Sequence, residues 1–496
     1  MSKNEFSLKR IFTHSVVYWA GIILSKIIGF AMIPFYSHYL KPAEYGVLEL
    51  VSLSVDVASL IVGFQLVSAV AKFYDDQREE VGKKSVVSTA LIISIVMASF
   101  VMGGLSTQGE AVSQLVFQDS SYAVLFQYMF LAAMFSVINE IGLVYLRIRD
   151  KSIRYVSITV VQLIIQVGLT IYFVAVAHMS VLGVIMAGTI ASGLVFIYVT
   201  ITTLLQTGIL FHRKIAKEMM AFSLPLVPAL IGMFILHNAD RYILKETTSV
   251  ADVGVYSLAY KFGILLNTLM IYPFNLVWGA KMFEAYRQEN RVEILNNTLK
   301  WFSFFVASTA MLIGVFIYEV ISVMTPEAYH QAANIVPIIL LAYVFNGASR
   351  VLYTPLYAEK RTRVVGGVVL LSAIISIIIT IPLAMFLGMY GAAVGTVFAF
   401  LALAGMGGYL SARLTGIRWN ILPLLQLLFV LVATLAIGML IGTGTIWINI
   451  LLKIALVALF FLLIFKINIF DTDEITSLKN MLVSRVSMLR SRTVKG

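Results

Sequence analysis

"KPAEYGVLELVSL", residues 41–53, and "TSVADVGVYSLAYK", residues 248–261, are two copies of one signal. Ala43, Glu44 and Gly46 of the first align with Ala251, Asp252 and Gly254 of the second at an offset of 208 residues. Far downstream, "VLGVIMAGT" from Val181 and "MYGAAVGT" from Met389 place Gly183 over Gly391 at the same offset. Between them, "NEIGLVYLRIRDK" from Asn139 echoes "NGASRVLYTPLYAEK" from Asn346 within one residue of it. Three matches in one register indicate a duplication, so whatever one copy folds into, the other repeats.

What is duplicated spans a membrane. The 496 residues are 60% hydrophobic and 12% charged, whereas a water-soluble domain needs roughly twice that charge to cover its surface. A spanning helix takes about 20 mostly apolar residues. Fourteen such runs are centred near residues 25, 59, 95, 134, 167, 194, 233, 265, 310, 345, 376, 402, 432 and 456. Their connections are short, which excludes a sizeable domain at either membrane face. The expected fold is all-α, an integral membrane protein of fourteen helices. Helices one to six fall in residues 1–212, helices seven to twelve in 213–415, two extra helices in 416–466 and a tail in 467–496. Six is even, so both halves enter from the same side and form a parallel repeat about an axis along the membrane normal. Paired bundles of this kind enclose a central site, which suggests a transporter.

Lys and Arg set the orientation. Alternate connections, counted from the N-terminus, hold 29 of the 36 basic residues, while the opposite set holds Lys41 and Lys245. Both termini are therefore expected in the cytoplasm. The net charge of +11 calls for no nucleic-acid partner, because basic loops anchor orientation and touch anionic lipid. The basic start "MSKNEFSLKR" precedes an apolar run too long for a cleavable signal and is read as the lead into helix one. No cysteine occurs, which removes disulfides and Cys-ligated metals.

Five basic residues lie inside apolar runs: Lys26, Arg241, Lys261, Arg350 and Lys453. A charge at mid-bilayer costs about 2.5–3.5 kcal/mol on insertion scales, so it faces a wet cavity or a partner. Lys26, Asp56 and Lys261, near the middle of helices one, two and eight, are candidates to line such a cavity; the plainer alternative is packing. On helix two, Glu49, Ser52, Asp56, Ser59 and Gly63 recur at spacings of three and four, hence on one face. Helix eight carries Tyr256, Tyr260, Gly263 and Asn267 in the same way, and helix ten carries Asn346, Ser349 or Arg350, Tyr353 and Tyr357. Gly21, Ser25 and Gly29 form a small-residue ridge on helix one that permits close contact. Glu140 and Arg350, nearer the cytoplasmic side, could equally snorkel to the interface. Lys453 reads as a packing or interfacial residue.

"HNADRYILK", residues 237–245, puts Asp240 and Arg241 side by side near the exterior end of helix seven, whose start carries Pro225 and Pro228. Neighbouring helical residues do not face each other, so each is expected to pair with another helix. Together they are candidates for an exterior gate between the halves, with plain structural pairing as the alternative.

"KPAEYGVLEL", "HNADRYIL", "ADVGVYSLAYK" and "GMYGAAVGT" resemble the polysaccharide-flippase branch of the MOP exporter superfamily over essentially the whole chain. The wider superfamily includes MurJ-type lipid II flippases and MATE drug antiporters. The resemblance implies two lobes opening alternately to each side. It also implies export of an undecaprenyl-pyrophosphate-linked oligosaccharide across the bacterial inner membrane, driven by a proton or sodium gradient and needing no cofactor. Lys26, Lys261 and Arg350 are the cations placed to face the pyrophosphate, and Asp56 and Glu140 the acids placed to bind the coupling ion. Tyr256, Tyr260, Asn267, Asn346 and Tyr353 are candidate sugar contacts, with core packing as the alternative. A polysaccharide polymerase and glycosyltransferases are candidate partners. A MurJ-type cavity carries several arginines in its first two helices, where this chain has one lysine and two acids, which counts against lipid II.

Other classes fit less well. A cation antiporter wants an acid-dominated cavity, and a membrane glycosyltransferase a large exterior loop, yet the longest here, about residues 107–121, contains just Glu110 and Asp119. "VGKKS" from Val81 has Gln77 where a phosphate loop needs glycine. "DTD" at Asp471–Asp473 resembles a metal-binding triplet but falls in the tail and reads as solvated linker. The apolar spacing from Ile475 to Leu489 suits a surface-lying amphipathic helix or a disordered tail.

Overall fold

The computed structural model describes residues 8–63, 66–442, 446–467 and 469–470. Every regular element among them is helical. The first part of the chain forms α1 (Leu8–Tyr39), α2 (Pro42–Gly63), α3 (Leu66–Asp76), α4 (Glu80–Thr107), α5 (Gly109–Phe117), α6 (Ala123–Ile148), α7 (Ser152–Ile171) and α8 (Ser180–Thr207). Then come α9 (Arg213–Ser223), α10 (Val227–Thr247), α11 (Val250–Leu266), α12 (Tyr272–Arg287), α13 (Arg291–Met324) and α14 (Ala332–Leu352). The chain continues through α15 (Thr354–Ala358), α16 (Thr362–Leu387), α17 (Met389–Thr415), α18 (Leu422–Leu440) and α19 (Ile446–Lys466). Thirteen segments among the described residues, from Pro42–Asp76 to Trp447–Lys466, are long and apolar enough to cross a membrane. The run centred near residue 25 is helical as α1 but stands outside that set. The "DTD" triplet and the expected tail helix lie outside the described residues.

The duplicated motif has a local cause. At the start of α2, Pro42 occupies the first helical position, where no N–H is needed, and the Glu44 carboxylate accepts from the Lys41 backbone N–H at 2.8 Å. At the start of α11, 208 residues later, the Ser249 hydroxyl accepts from the Asp252 N–H at 3.1 Å and donates to its carboxylate at 2.9 Å. The acid of each copy thus lies in the first turn of its helix and takes part in the capping there, accepting from backbone in α2 and from the capping Ser249 hydroxyl in α11. Gly183 and Gly391 repeat a second device: each starts a helix that crosses tightly over the preceding one, at Phe173 and at the Leu383 carbonyl respectively.

Helix irregularities follow from proline and from loop entry. Leu224–Leu226 forms a 3₁₀ turn between α9 and α10, beside Pro225 and Pro228. Asn267–Ile271 forms a π turn just before Pro273, whose ring cannot follow a tight helical turn. A second π turn, Tyr172–Val176, closes α7.

α2 packs on α4, α6 and α8 on one side and on α10 and α11 on the other. α11 in turn packs on α10, α13, α14 and α17. α18 and α19 lean on α13, where Gly314 admits the Leu435 side chain. α9 packs on α3 and α4, with the Lys72 ammonium 4.4 Å from the Phe222 ring centre. It is therefore a link that lies against the first set of helices, although its residues follow position 212.

Candidate functional site

Where the two sets of helices meet, the contacts gather toward the end of the bundle bearing the basic-poor loops. The Tyr329 hydroxyl donates to the Leu40 carbonyl at 2.9 Å, and Ser54 and Tyr242 share a hydrogen bond of 2.9 Å. On the same helix as Ser54, Glu49 of α2 faces two cations of the opposite set: Arg241 Nε at 3.6 Å from Oε1 and Lys261 Nζ at 3.4 Å from Oε2.

Below this closure lies a cavity of about 440 Å³ whose lining includes Lys26, Glu49, Ser52, Gln166, Lys261 and Thr268. Its walls come from α1, α2, α6, α7, α8 and α11 together with the following π turn. Lys26 is exposed and Lys261 keeps 35% of its side chain accessible, and both line this one cavity. The expected ridge on α1 divides: Gly21 abuts Val156 of α7, whereas Gly29 has nothing within 4 Å and opens onto the cavity.

The Asp240–Arg241 pair departs from expectation in one respect. The two residues contact each other, Arg241 Nη1 lying 3.3 Å from Asp240 Oδ1, because a long guanidinium can fold back across the helix surface. Each also reaches another helix. Asp240 Oδ2 accepts from the Tyr256 hydroxyl at 2.7 Å and from Thr396 at 3.1 Å, and the Arg241 guanidinium sits 3.9 Å over the Tyr260 ring. Its Nη1 donates to the His237 carbonyl at 2.9 Å, while its Nε is buried without a hydrogen-bond partner.

The remaining candidates sit elsewhere. Tyr256 and Tyr260 are fully buried around Asp240 and Arg241, and Tyr353 donates to the Leu403 carbonyl at 2.8 Å. Asn346 is buried and accepts from Arg350 at 3.2 Å. Four of the five sugar-contact candidates therefore face protein in this conformation, and the fifth, Asn267, is half-buried at the π turn. Arg350, whose Nε lacks a partner, does not reach the cavity lining. Asp56 and Glu140 are exposed and also lie outside it. Lys453 packs as expected, donating to both oxygens of Glu319 at 2.6 and 2.7 Å.

Two participants went unassigned from sequence. Glu49 was visible on the polar face of helix two, but nothing in one chain's spacing shows that two cations 192 and 212 residues away converge on it. Gln166 had a local signal, since Gln162, Gln166 and Thr170 stand four residues apart in an otherwise apolar run.

Comparison with known proteins agrees with this architecture. The model of the family described as "Polysaccharide biosynthesis protein" matches residues 12–278, more than half of the chain. A protein of the Lsg locus of Haemophilus influenzae is 22% identical over 315 residues, which is 61% of this chain and 74% of that protein. Among solved structures, the lipid II flippase MurJ in an inward closed conformation superposes with a TM-score of 0.69 at 16% identity, covering 90% of this chain and 98% of that one. An inward-facing MATE transporter of the MOP superfamily gives 0.61 at 15% identity, covering 77% and 93%. The chain is thus a multi-pass membrane protein with the MOP fold, and it belongs to the polysaccharide biosynthesis protein family.

Proposed function

We propose that the chain is a flippase, carrying an undecaprenyl-pyrophosphate-linked oligosaccharide across the bacterial inner membrane by ion-coupled alternating access between its halves, 1–212 and 213–415. The observation that supports this most is the pair Lys26 and Lys261, one from each half, on the lining of a single cavity. A sugar-phosphate head cannot cross hydrocarbon unaided, whereas its polyprenyl tail never needs to leave it. Two ammonium groups suit a diphosphate that must be bound and then released, being point charges rather than bidentate clamps.

In this reading the basic-poor end is the exterior, and the contacts among Leu40, Tyr329, Glu49 and Arg241 close it while the cavity loads from the cytoplasm. Asp240 acts in the gate by holding Arg241 in place. Asp56 and Glu140 remain the acids offered to a proton or sodium ion, and glycosyltransferases and a polymerase the enzymes that would supply and consume the cargo.

The test is complementation in two hosts, one lacking its polysaccharide flippase and one depleted of its lipid II flippase. Restored polysaccharide at the surface of the first, with no rescue of the second, is the expected result. Rescue of the second alone would overturn the proposed substrate. Purified chain in liposomes should also translocate a fluorescent polyprenyl-diphosphate oligosaccharide, and inactivity there together with failure in both hosts would overturn transport itself.

A further inference from the structure

We propose that Glu49 is a built-in stand-in for the substrate's phosphates. In the closed arrangement its carboxylate ties α2 to α10 and α11, and a diphosphate entering the cavity displaces it and frees the exterior ends of the halves to part. The inference rests on the cavity being the diphosphate site.

Four observations carry it. Glu49 is the cavity-lining carboxylate, and both cations it faces belong to the other set of helices. Its ties are loose: 3.4 and 3.6 Å against about 2.7–2.9 Å for a well-made charge-assisted hydrogen bond. Arg241 Nε is buried with its donor unmet, so the Glu49 carboxylate as placed makes no full hydrogen bond at the Arg241 end of the tie. Lys261 is accessible from the cavity whereas Arg241 is sealed, with 35% and 3% of their side chains exposed, so an incoming anion meets the reachable end of the tie first.

A diphosphate brings at least two negative charges and several acceptor oxygens to a place where Glu49 offers one charge. It therefore outcompetes the carboxylate for Lys261, and α2 loses its hold on α11. The ligand gains more contact in the released arrangement than in the tied one, which is the condition for it to shift the equilibrium. An empty transporter stays shut on the outside, and loading opens it.

The test uses the full-length chain in lipid nanodiscs, with spin labels at Lys41→Cys and Glu246→Cys, exposed positions at the basic-poor end on either side of the interface. Farnesyl diphosphate serves as the probe. Glu49→Gln is expected to lengthen the label-to-label distance without ligand, raising the ratio of open to closed populations roughly five-fold or more. Farnesyl diphosphate is expected to do the same in the parent and to add little to the variant. Lys261→Met, which cuts the tie from the other end, is expected to lengthen the distance and abolish the response. Parent-like distances in both variants would overturn the latch. Calorimetry of farnesyl diphosphate binding to the parent judges the underlying site separately: absent binding with open variants removes the diphosphate reading and leaves Glu49 as a closing tie alone.

Discussion

Gly46 and Gly254 lie against each other's helix starts. A Cβ on Gly46 would stand 2.0 Å from the Val250 carbonyl oxygen, and one on Gly254 would stand 1.9 Å from the Pro42 carbonyl oxygen. Pro42 and Val250, like Gly46 and Gly254, are 208 residues apart, so the contact is reciprocal. Backbone cannot yield as a flexible side chain can. Gly254→Ala is therefore expected to force the halves apart at this end. In a chain without native cysteine, Ser52→Cys in the cavity should then react with a membrane-impermeant maleimide added on the exterior side. Gly168→Ala, which meets nothing within 4 Å, should leave that labelling at the parent level, and equal labelling in both variants would remove the glycine contact from the closure.

The sequence announced this crossing without showing what it was for. Hydropathy located the spanning segments, since hydrocarbon permits little besides helices, and the 208-residue register located the copies. Lys26 and Lys261 were legible because mid-membrane charge is costly enough to need a reason. The fate of the tyrosines was not legible: a stripe at helical spacing fixes which residues share a face, and it is silent on whether that face meets cavity or protein. Tyr256 and Tyr260 turned out to serve Asp240 and Arg241. Glu49 escaped assignment for the same reason, as its partners are set by how the halves dock.

Lys453 and Glu319 test whether α19 is held by charge. Removing one partner of a buried ion pair strands the other and costs about 3–5 kcal/mol, whereas replacing both by apolar residues is often neutral. Lys453→Met alone should lower the melting temperature in detergent markedly, and Lys453→Met with Glu319→Leu should recover most of it. A double variant as unstable as the single one would mean that the neighbouring space needs polar groups.

Tyr353 separates a sugar contact from a packing residue. Its hydroxyl donates to the Leu403 carbonyl, and its ring fills the space that a Cβ on Gly407 would enter, 1.7 Å from Cε1. Tyr353→Phe keeps the ring and gives up one hydrogen bond, a loss of about 0.5–1.5 kcal/mol. Melting should move slightly and export should persist. Lost export with unchanged melting would return Tyr353 to the transport path in another conformation.

Asp56 is exposed on α2 beyond the cavity that Glu49 lines. A carboxylate that binds the driving ion must be accessible, and the Asp56 side chain is exposed. Asp56→Asn is expected to leave substrate binding in place and to flatten the dependence of transport on imposed proton or sodium gradients in liposomes. An unchanged gradient response would transfer the coupling role to another acid.

Lys26 and Lys261 differ in their surroundings, and that difference predicts different outcomes. Lys26 is exposed and pairs with no acid among the described residues, while Lys261 also holds Glu49. Lys26→Ala should weaken diphosphate binding and abolish export while leaving the exterior closure intact. Lys261→Ala should abolish export and loosen the closure as well. Arginine restores charge in a planar fork suited to bidentate phosphate contact, with slower release. Lys26→Arg is thus expected to bind as tightly as the parent and to turn over more slowly, measured as flipping rate against farnesyl diphosphate affinity. Full export by both alanine variants would remove the lysines from substrate handling and with them the chemical basis of the cavity.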